Sequence, residues 1–398
     1  MHVIAAEGAR LPIKVWARPE DLVGFDSALA QACNLANHPL AFKHVALMPD
    51  FHVGYGMPIG GVFATEGGIV PNAVGVDIGC GMQALGLGIY APDARELLEE
   101  WRWRVHEWRR RVHERVPVGE GRYHQQGQEI GFFDEALEAD AQGCPIVAQN
   151  LERARLQLGT LGGGNHFIEL QVAENGELWV MIHSGSRGIG HKVCTYYERE
   201  ARKLNEKWHS AIPDRDLAFL PDDHDVGRAY LREMEWCLRF ADANRRHMML
   251  AVRAVLAELG LSGPTGTTVH THHNYVAREH HFGRDPWVHR KGAVKADGLV
   301  CIPGSMGTAS YVARGLGERE SFGSCSHGAG RVLGRKEANR TISHEQAEAA
   351  MAHVVFGVRQ GDYDEMPQCY KDIDQVMENQ RDLAEAAFRL RPLAVVKG

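Results

Sequence analysis

The segment VGVDIGCGM, residues 74 to 82, limits the possible folds more than any other stretch. It has glycines at 75, 79 and 81 and sets Asp77 three positions before Cys80. Glycine in a strand or at its exit weakens the element unless backbone must pass close to another group. The fold therefore has to press other parts of the chain against this turn, and a carboxylate and a thiol must face what lies there.

Composition shows how widely that theme is repeated. The chain holds 44 glycines in 398 residues, well above the usual share of roughly 7%. They cluster with many of the 22 histidines in short polar segments: MPDFH, GGGNHF, MIHSGSRG, VHTHHN and SCSHGAGR. Histidine is the commonest metal ligand and the usual proton shuttle, so these loops call for a chemical account. A net charge of −7 excludes non-specific coating of nucleic acid, and any such contact must be local to a cleft. Eight scattered cysteines without a CxxC pair read as reduced thiols, and the start lacks a secretion pattern. No uncharged apolar run reaches membrane-spanning length, so a cytoplasmic protein without a membrane partner is expected.

Periodicity places these loops in a mixed architecture. Residues 1–95 read as short strands joined by turns. Residues 94–117 read as a helix with Trp101, Val105, Trp108 and Val112 on one apolar stripe. The arginines between them could touch RNA, but a core-facing stripe with a solvated basic face is the favoured reading. Residues 119–145 read as a loop. In ELWVMIHS, Trp179, Met181 and His183 share one strand face, and Leu178, Val180 and Ile182 the other. A long helix over 226–259 ends at Gly260, a suitable C-cap. Strands follow at 266–276, 286–294 and 298–302, and helices near 343–355 and 371–389. This order predicts an α+β fold, with 1–398 forming a single large domain of mixed β-sheets flanked by helices.

Asp77, Cys80, His166, His183 and His273 are the candidate metal ligands. Five such groups suit two ions, with the thiolate as a possible bridge, and paired ions stabilise attacking and leaving oxygens in phosphoryl chemistry. On residue types alone zinc is the first choice. Taken singly, Cys80 reads as a packed small hydrophobe and each histidine as a structural one. LGTLGGGNHF, HGAG and IPGSMGTAS, the last with Ser305, Thr308 and Ser310, offer glycine N–H groups suited to phosphate, though none is a Walker A loop. Arg187 in HSGSRG could fork onto a phosphate or sit in a buried ion pair. His327 in SCSHGAGR could act as a nucleophile, although a lone histidine in a turn more often only forms hydrogen bonds.

Together these segments resemble the RtcB family of RNA-splicing ligases. The resemblance runs from FKHVALMPDFHVGYGMPIGG through VGVDIGCGM, LGTLGGGNHFIEL, MIHSGSRGIG, HHNYV, RKGA, IPGSMG, SYVARGLG, SCSHGAGRVLGR and YKDIDQVM to the terminal VVKG. It implies a ligase that joins an RNA 3′-phosphate or 2′,3′-cyclic phosphate end to a 5′-hydroxyl end, with GTP as cosubstrate and two Mn2+ ions. Its partners would be broken RNA or tRNA halves, and an activating protein of the archease type is a further one that the resemblance allows.

Carried over by motif, His327 would be the guanylated histidine. Asp77, Cys80 and His166 would hold one manganese, and Cys80, His183 and His273 the other. The resemblance assigns guanine-nucleotide contacts to Asn165, His166, Phe167, Ile168, Glu169, His273, Asn274, Pro303, Gly304, Ser305, Met306, Ser310, Gly328, Ala329, Gly330, Tyr370 and Lys397. It puts Arg187 near the RNA phosphate, and it leaves Asp50 and His52 without a role. The residue types and the resemblance thus disagree on the metal, and phosphate oxygens favour manganese. Two rival functions are a metal-dependent phosphoesterase, which would need neither His327 nor Lys397, and a nucleotide-responsive RNA-binding module without chemistry.

Overall fold

The protein is described from a computed structural model that covers residues 1–4, 8–91, 98–127, 143–261, 263–264 and 266–398. Seven strands form one antiparallel sheet in the order Thr268–His272, Gly81–Tyr90, Glu177–Ser184, Phe167–Ala173, Ala384–Val396, Ser310–Gly315 and Leu299–Ile302. The two edge strands approach each other, so this sheet curls into a nearly closed barrel. A second sheet of six strands runs His2–Ile4, Ile13–Val15, Ala41–His52, Ile59–Thr65, Trp287–Lys291 and Asn274–Arg278. Ile13–Val15 pairs in parallel with Ala41–His52, and the other pairs are antiparallel. The fold is α+β, as the pattern of elements predicts.

Strand alternation sorts the core. Trp179 and Met181 join Met82, Ala84 and Phe167 inside the barrel. Leu178, Val180 and Ile182 point the other way and pack with Val105, Trp108 and Val112 of the helix Leu98–Arg115. That stripe is buried, and several arginines beside it are paired. Arg104 pairs with Glu100, Arg110 with Glu107 and Glu114, Arg111 with Glu107, and Arg115 with Glu258. These are ordinary surface pairs of small individual worth.

Several expectations need correction. Residues 371–389 are not one helix: a helix covers Ile373–Asn379, and a strand then runs Ala384–Val396. Its AEAAFRLR start is composed largely of helix formers, but pairing with strands on both sides overrides that propensity. Pro392, which cannot donate to a ladder, sits where the register shifts. The stretch 266–276 is two strands in two sheets, and 286–294 divides at Gly292 into Trp287–Lys291 and Ala293–Lys295. Residues 1–95 include a helix, Asp26–Ala36, and a strand of 12 residues, Ala41–His52. The helix near 343–355 is shorter, His344–Met351, and follows another, Arg335–Thr341. A helix of 21 residues, Arg187–Lys207, has no counterpart in the sequence-based reading. Residues 128–142 of the expected loop lie outside the described residues.

The division at His273 places the site. The chain leaves the barrel after His272 and enters the second sheet at Asn274. At the crossing, His273 N donates to Cys80 O at 2.9 Å, and Gly292 N donates to His273 O at 2.8 Å. Gly79, with φ +73°, donates to Asn274 O at 2.9 Å. At Gly81 an added Cβ would lie 2.0 Å from Thr271 O, so any side chain there would force the two strands apart. Gly81→Ala should lower stability by about 1–3 kcal/mol in urea unfolding. Gly298→Ala, where an added Cβ meets nothing within 4 Å, should stay within about 0.5 kcal/mol.

Candidate active site

The five candidate ligands come from four separate segments and meet on the floor of one cleft. Cys80 Sγ lies 3.2 Å from His183 Nε2 and 3.4 Å from His166 Nε2. His183 Nε2 is 3.3 Å from His273 Nε2, and His166 Nε2 is 3.0 Å from Asp77 Oδ2. Two triads result, Cys80–His183–His273 and Asp77–Cys80–His166, with ligand atoms within 4.8 Å of one another. Cys80 belongs to both.

The donor set fits divalent cations. His183 Nδ1 faces the Asn165 carbonyl at 3.1 Å. A carbonyl only accepts, so the proton belongs on Nδ1 and Nε2 keeps a lone pair aimed at the cluster. The Cys80 S–H can satisfy one imidazole lone pair at a time, whereas a cation among the donor atoms would satisfy all of them together. Burial pushes the Cys80 thiol well above its ordinary range and, with neighbouring histidines, holds His183 and His273 well below theirs. For Asp77 burial opposes ionisation, but His166 and Arg187 overcome it and bring the carboxyl down to about 2. Neutral imidazoles beside a carboxylate are what a metal needs. Close packing tightens the arrangement: a Cβ on Gly185 would lie 2.2 Å from Asp77 Oδ1.

His327 stands on the opposite wall, its ring 4.8 Å from that of His273. Asp50, which the sequence left unassigned, holds it. Asp50 Oδ2 accepts from His327 Nδ1 at 2.6 Å, from His327 N at 3.1 Å and from Gly328 N at 3.2 Å. Asp50 is fully buried, and Lys371 Nζ donates to the carbonyls on both sides of it, Pro49 O at 2.9 Å and Phe51 O at 2.8 Å. Gly330 must be glycine here: its φ is +77°, and a Cβ would lie 2.1 Å from Asp50 O. His52 also lines the cleft, with Nδ1 on Asp50 O at 2.9 Å.

The cleft has a volume of about 590 Å3, and its walls include Asn165, Phe167, Asn274, Pro303, Gly304, Ser305, Met306, Gly328, Ala329, Gly330, Tyr370 and Lys397. Of the other expected nucleotide contacts, His273 lines the floor of the cleft, and Ile168, Glu169 and Ser310 lie behind this wall. Ile168 points into the core outside the barrel. Ser310 Oγ accepts from Gly304 N at 3.2 Å and so shapes the turn from below. Glu169 is buried, its carboxyl pushed up to about 8 by burial, with Gln171 Nε2 donating to it at 2.7 Å. Arg187 sits beside the metal cluster, Nη1 3.1 Å from His166 Nδ1, and a Cβ on Gly162 would collide with its guanidinium. Sequence reasoning missed Glu365, which meets Lys397 at 3.1 Å and Arg331 at 3.1 Å and also binds Tyr370 and Arg335. Burial opposes its charge, but these cations and the tyrosine hold its carboxyl at about 2. Nothing in EMPQ signalled this role; only the fold brings it to Lys397.

Because one sulfur serves both triads, Cys80→Ala should fail to retain a pair of divalent ions. Metal content after equilibrium dialysis checks this, and normal loading with two ions would refute the sharing.

Residues 31–398 match the protein family described as tRNA-splicing ligase RtcB. The RNA-splicing ligase RtcB of Escherichia coli K12 is 39% identical, over 97% of each chain. That of Mycobacterium tuberculosis is 35% identical, over 92% of this chain and all of its own. The tRNA-splicing ligase RtcB of Pyrobaculum aerophilum is 32% identical, over 98% of this chain and 95% of its own. With a match of this length and identity, the chain belongs to the RtcB family of RNA-splicing ligases.

Proposed function

We propose that the protein is a GTP- and Mn2+-dependent RNA ligase, working as one domain in RNA repair or tRNA splicing. It joins an RNA 3′-phosphate or 2′,3′-cyclic phosphate end to a 5′-hydroxyl end. The observation that carries this reading is the Asp50–His327 pair, set across a cleft from the two triads. A metal-dependent phosphoesterase would need the triads but would not require His327, whereas a ligase that passes through a guanylated histidine requires an imidazole held with one nitrogen free. All eight cysteines are free, which supports a cytoplasmic setting.

Asp50 takes the Nδ1 proton's hydrogen bond, so the Nε2 lone pair is the nucleophile. Nε2 attacks the α-phosphorus of GTP; the N–P bond forms as pyrophosphate leaves. An oxygen of the RNA 3′-phosphate then displaces His327 and takes the guanylate. The 5′-hydroxyl attacks that activated 3′-phosphate, and GMP departs. A cyclic end is first hydrolysed to a 3′-phosphate. Asp77, Cys80 and His166 would hold one ion, and Cys80, His183 and His273 the other; the ions supply charge neutralisation for in-line displacement at phosphorus. Manganese rather than zinc follows from the hard oxygens that phosphate substrates add to the donor set. The nucleotide would lie along the cleft wall from Asn165 to Lys397; Glu169 lies behind that wall, and its carboxyl would give up the proton that burial favours in order to accept from guanine N1–H and N2–H2. Arg187 would serve the RNA phosphate.

The wild type should gain an acid-labile guanylate on His327 with GTP and Mn2+ before any RNA is added, read by intact mass. His327→Ala should lose both the adduct and joining, yet still join RNA already guanylated at its 3′-phosphate. A guanylated variant, or an unmodified wild type, removes His327 from this role. Asp50→Ala should slow guanylylation by about 10²–10⁴-fold by releasing the ring from its tautomer.

GTP should also outcompete ATP in the same assay. Guanine N1–H and N2–H2 would draw Glu169 into its ionised form; adenine, with an acceptor at N1, would leave that carboxylate poorly satisfied, at a cost of about 1–3 kcal/mol. Equal use of the two nucleotides would count against Glu169 as the reader of the base.

A further inference from the structure

The longest helix, Asp225–Glu258, carries a fully buried arginine in its interior. Arg245 Nη1 donates to Gly79 O at 3.0 Å and to Ser184 O at 2.8 Å, and Nη2 lies 3.2 Å from His272 Nδ1. Each partner adjoins a metal-ligand candidate: Gly79 precedes Cys80, Ser184 follows His183, and His272 precedes His273. One planar guanidinium thus ties together the three segments that supply the Cys80–His183–His273 triad. Arginine suits this task because its donors project in a rigid fork, which an ammonium cannot reproduce.

A cation this deeply buried is costly unless its surroundings compensate it. The acidic groups near it are Asp242, Cys80 and Asp77. The adjacent Asn244 serves a different part of the floor: its Oδ1 accepts from Gly159 N at 2.7 Å and Thr160 N at 3.1 Å, in the turn before Leu161. Leu161 O in turn faces His166 Nδ1 at 3.1 Å. Asn244 Nδ2 also donates to Ser184 Oγ at 3.2 Å and to Gly185 O at 3.3 Å, so both residues brace the His183 segment, while the three-way tie to Gly79, Ser184 and His272 is made by Arg245.

We propose that Arg245 is a positioning residue for the Cys80–His183–His273 triad, setting the spacing of its ligands and so its affinity for a divalent ion. This rests on the reading of the triads as metal sites. Outer groups that orient metal ligands typically change affinity by about 10–100-fold when removed.

The test compares the full-length wild type with Arg245→Met and Arg245→Lys. Mn2+ binding is measured by equilibrium dialysis, and Co2+ absorption reports the thiolate-to-metal band of Cys80. In Arg245→Met one Mn2+ constant should weaken by about 10–100-fold, and clearly more than the other, with a shifted or diminished thiolate band. Arg245→Lys, which keeps the charge without the fork, should fall between. Wild-type constants in Arg245→Met, or equal weakening of both sites, overturn the proposal. If Arg245→Met does not fold by circular dichroism, Arg245→Lys decides: selective weakening supports the proposal, and wild-type binding overturns it. A wild type that binds no pair of ions defeats the metal reading, and the proposal with it; a wild type that binds two while the variants match it defeats the proposal alone.

Discussion

Cys80 holds its sulfur 3.2 Å from His183 Nε2 and 3.4 Å from His166 Nε2, and the rest of the site follows from keeping these groups together. Burial favours the proton on the Cys80 thiol and the neutral form of His183 and His273, while His166 and Arg187 keep Asp77 ionised beside them. A divalent ion reverses the balance at sulfur and uses the imidazoles as they already stand. The protein supplies this preparation through its backbone. Gly81 and Gly185 bring chain closer than any side chain permits; the Thr271 carbonyl takes the space at Gly81 and the Asp77 carboxylate takes it at Gly185.

The proposed nucleophile belongs to a different structural unit from the metals. His327 follows the short strand Ser324–Ser326, and Asp50 lies in the long strand Ala41–His52 of the second sheet. Cys80 and His183 are tied to the barrel. The cleft is the seam between these units, and His273 crosses it. A seam suits the proposed reaction, in which a guanylate would pass from protein to RNA, since each wall could hold one participant with substrate between them. Lys371 secures the far wall by holding both carbonyls beside Asp50 and by donating its own N–H to Gly330 O at 2.9 Å.

What the sequence disclosed was local. The ligand residues sit in glycine-bearing turns whose chemistry is unusual enough to stand out, and the strand ELWVMIHS alternates clearly enough to place His183 on the inner face. His270 and His272 fall on the other face, as alternation from His273 requires, with His270 on Asp242 at 3.3 Å and His272 on Gly79 O at 3.1 Å. What stayed hidden was set by tertiary partners. The strand Ala384–Val396 looks helical because its helix-favouring start joins a sheet only when two other strands flank it. Glu365 reads as one more surface acid until folding brings three cations and a tyrosine to it. Asp50 in MPDFH was conspicuous, but its task is defined by a histidine 277 positions away.

The helix Asp225–Glu258 also limits which sequence changes the site can tolerate. It rotates about 100° per residue, with 3.6 residues to a turn. One residue inserted or removed near its middle would swing Asn244 or Arg245 away from the carbonyls they hold, and would turn Trp236, Phe240 and Met248 on the same buried face. No shift of a single residue restores both the apolar face and the polar fork. Length variation in this element is therefore confined to its ends, and its middle behaves as a fixed gauge: whatever the surrounding loops acquire or lose, the distance from Tyr230 to Val252 must be kept.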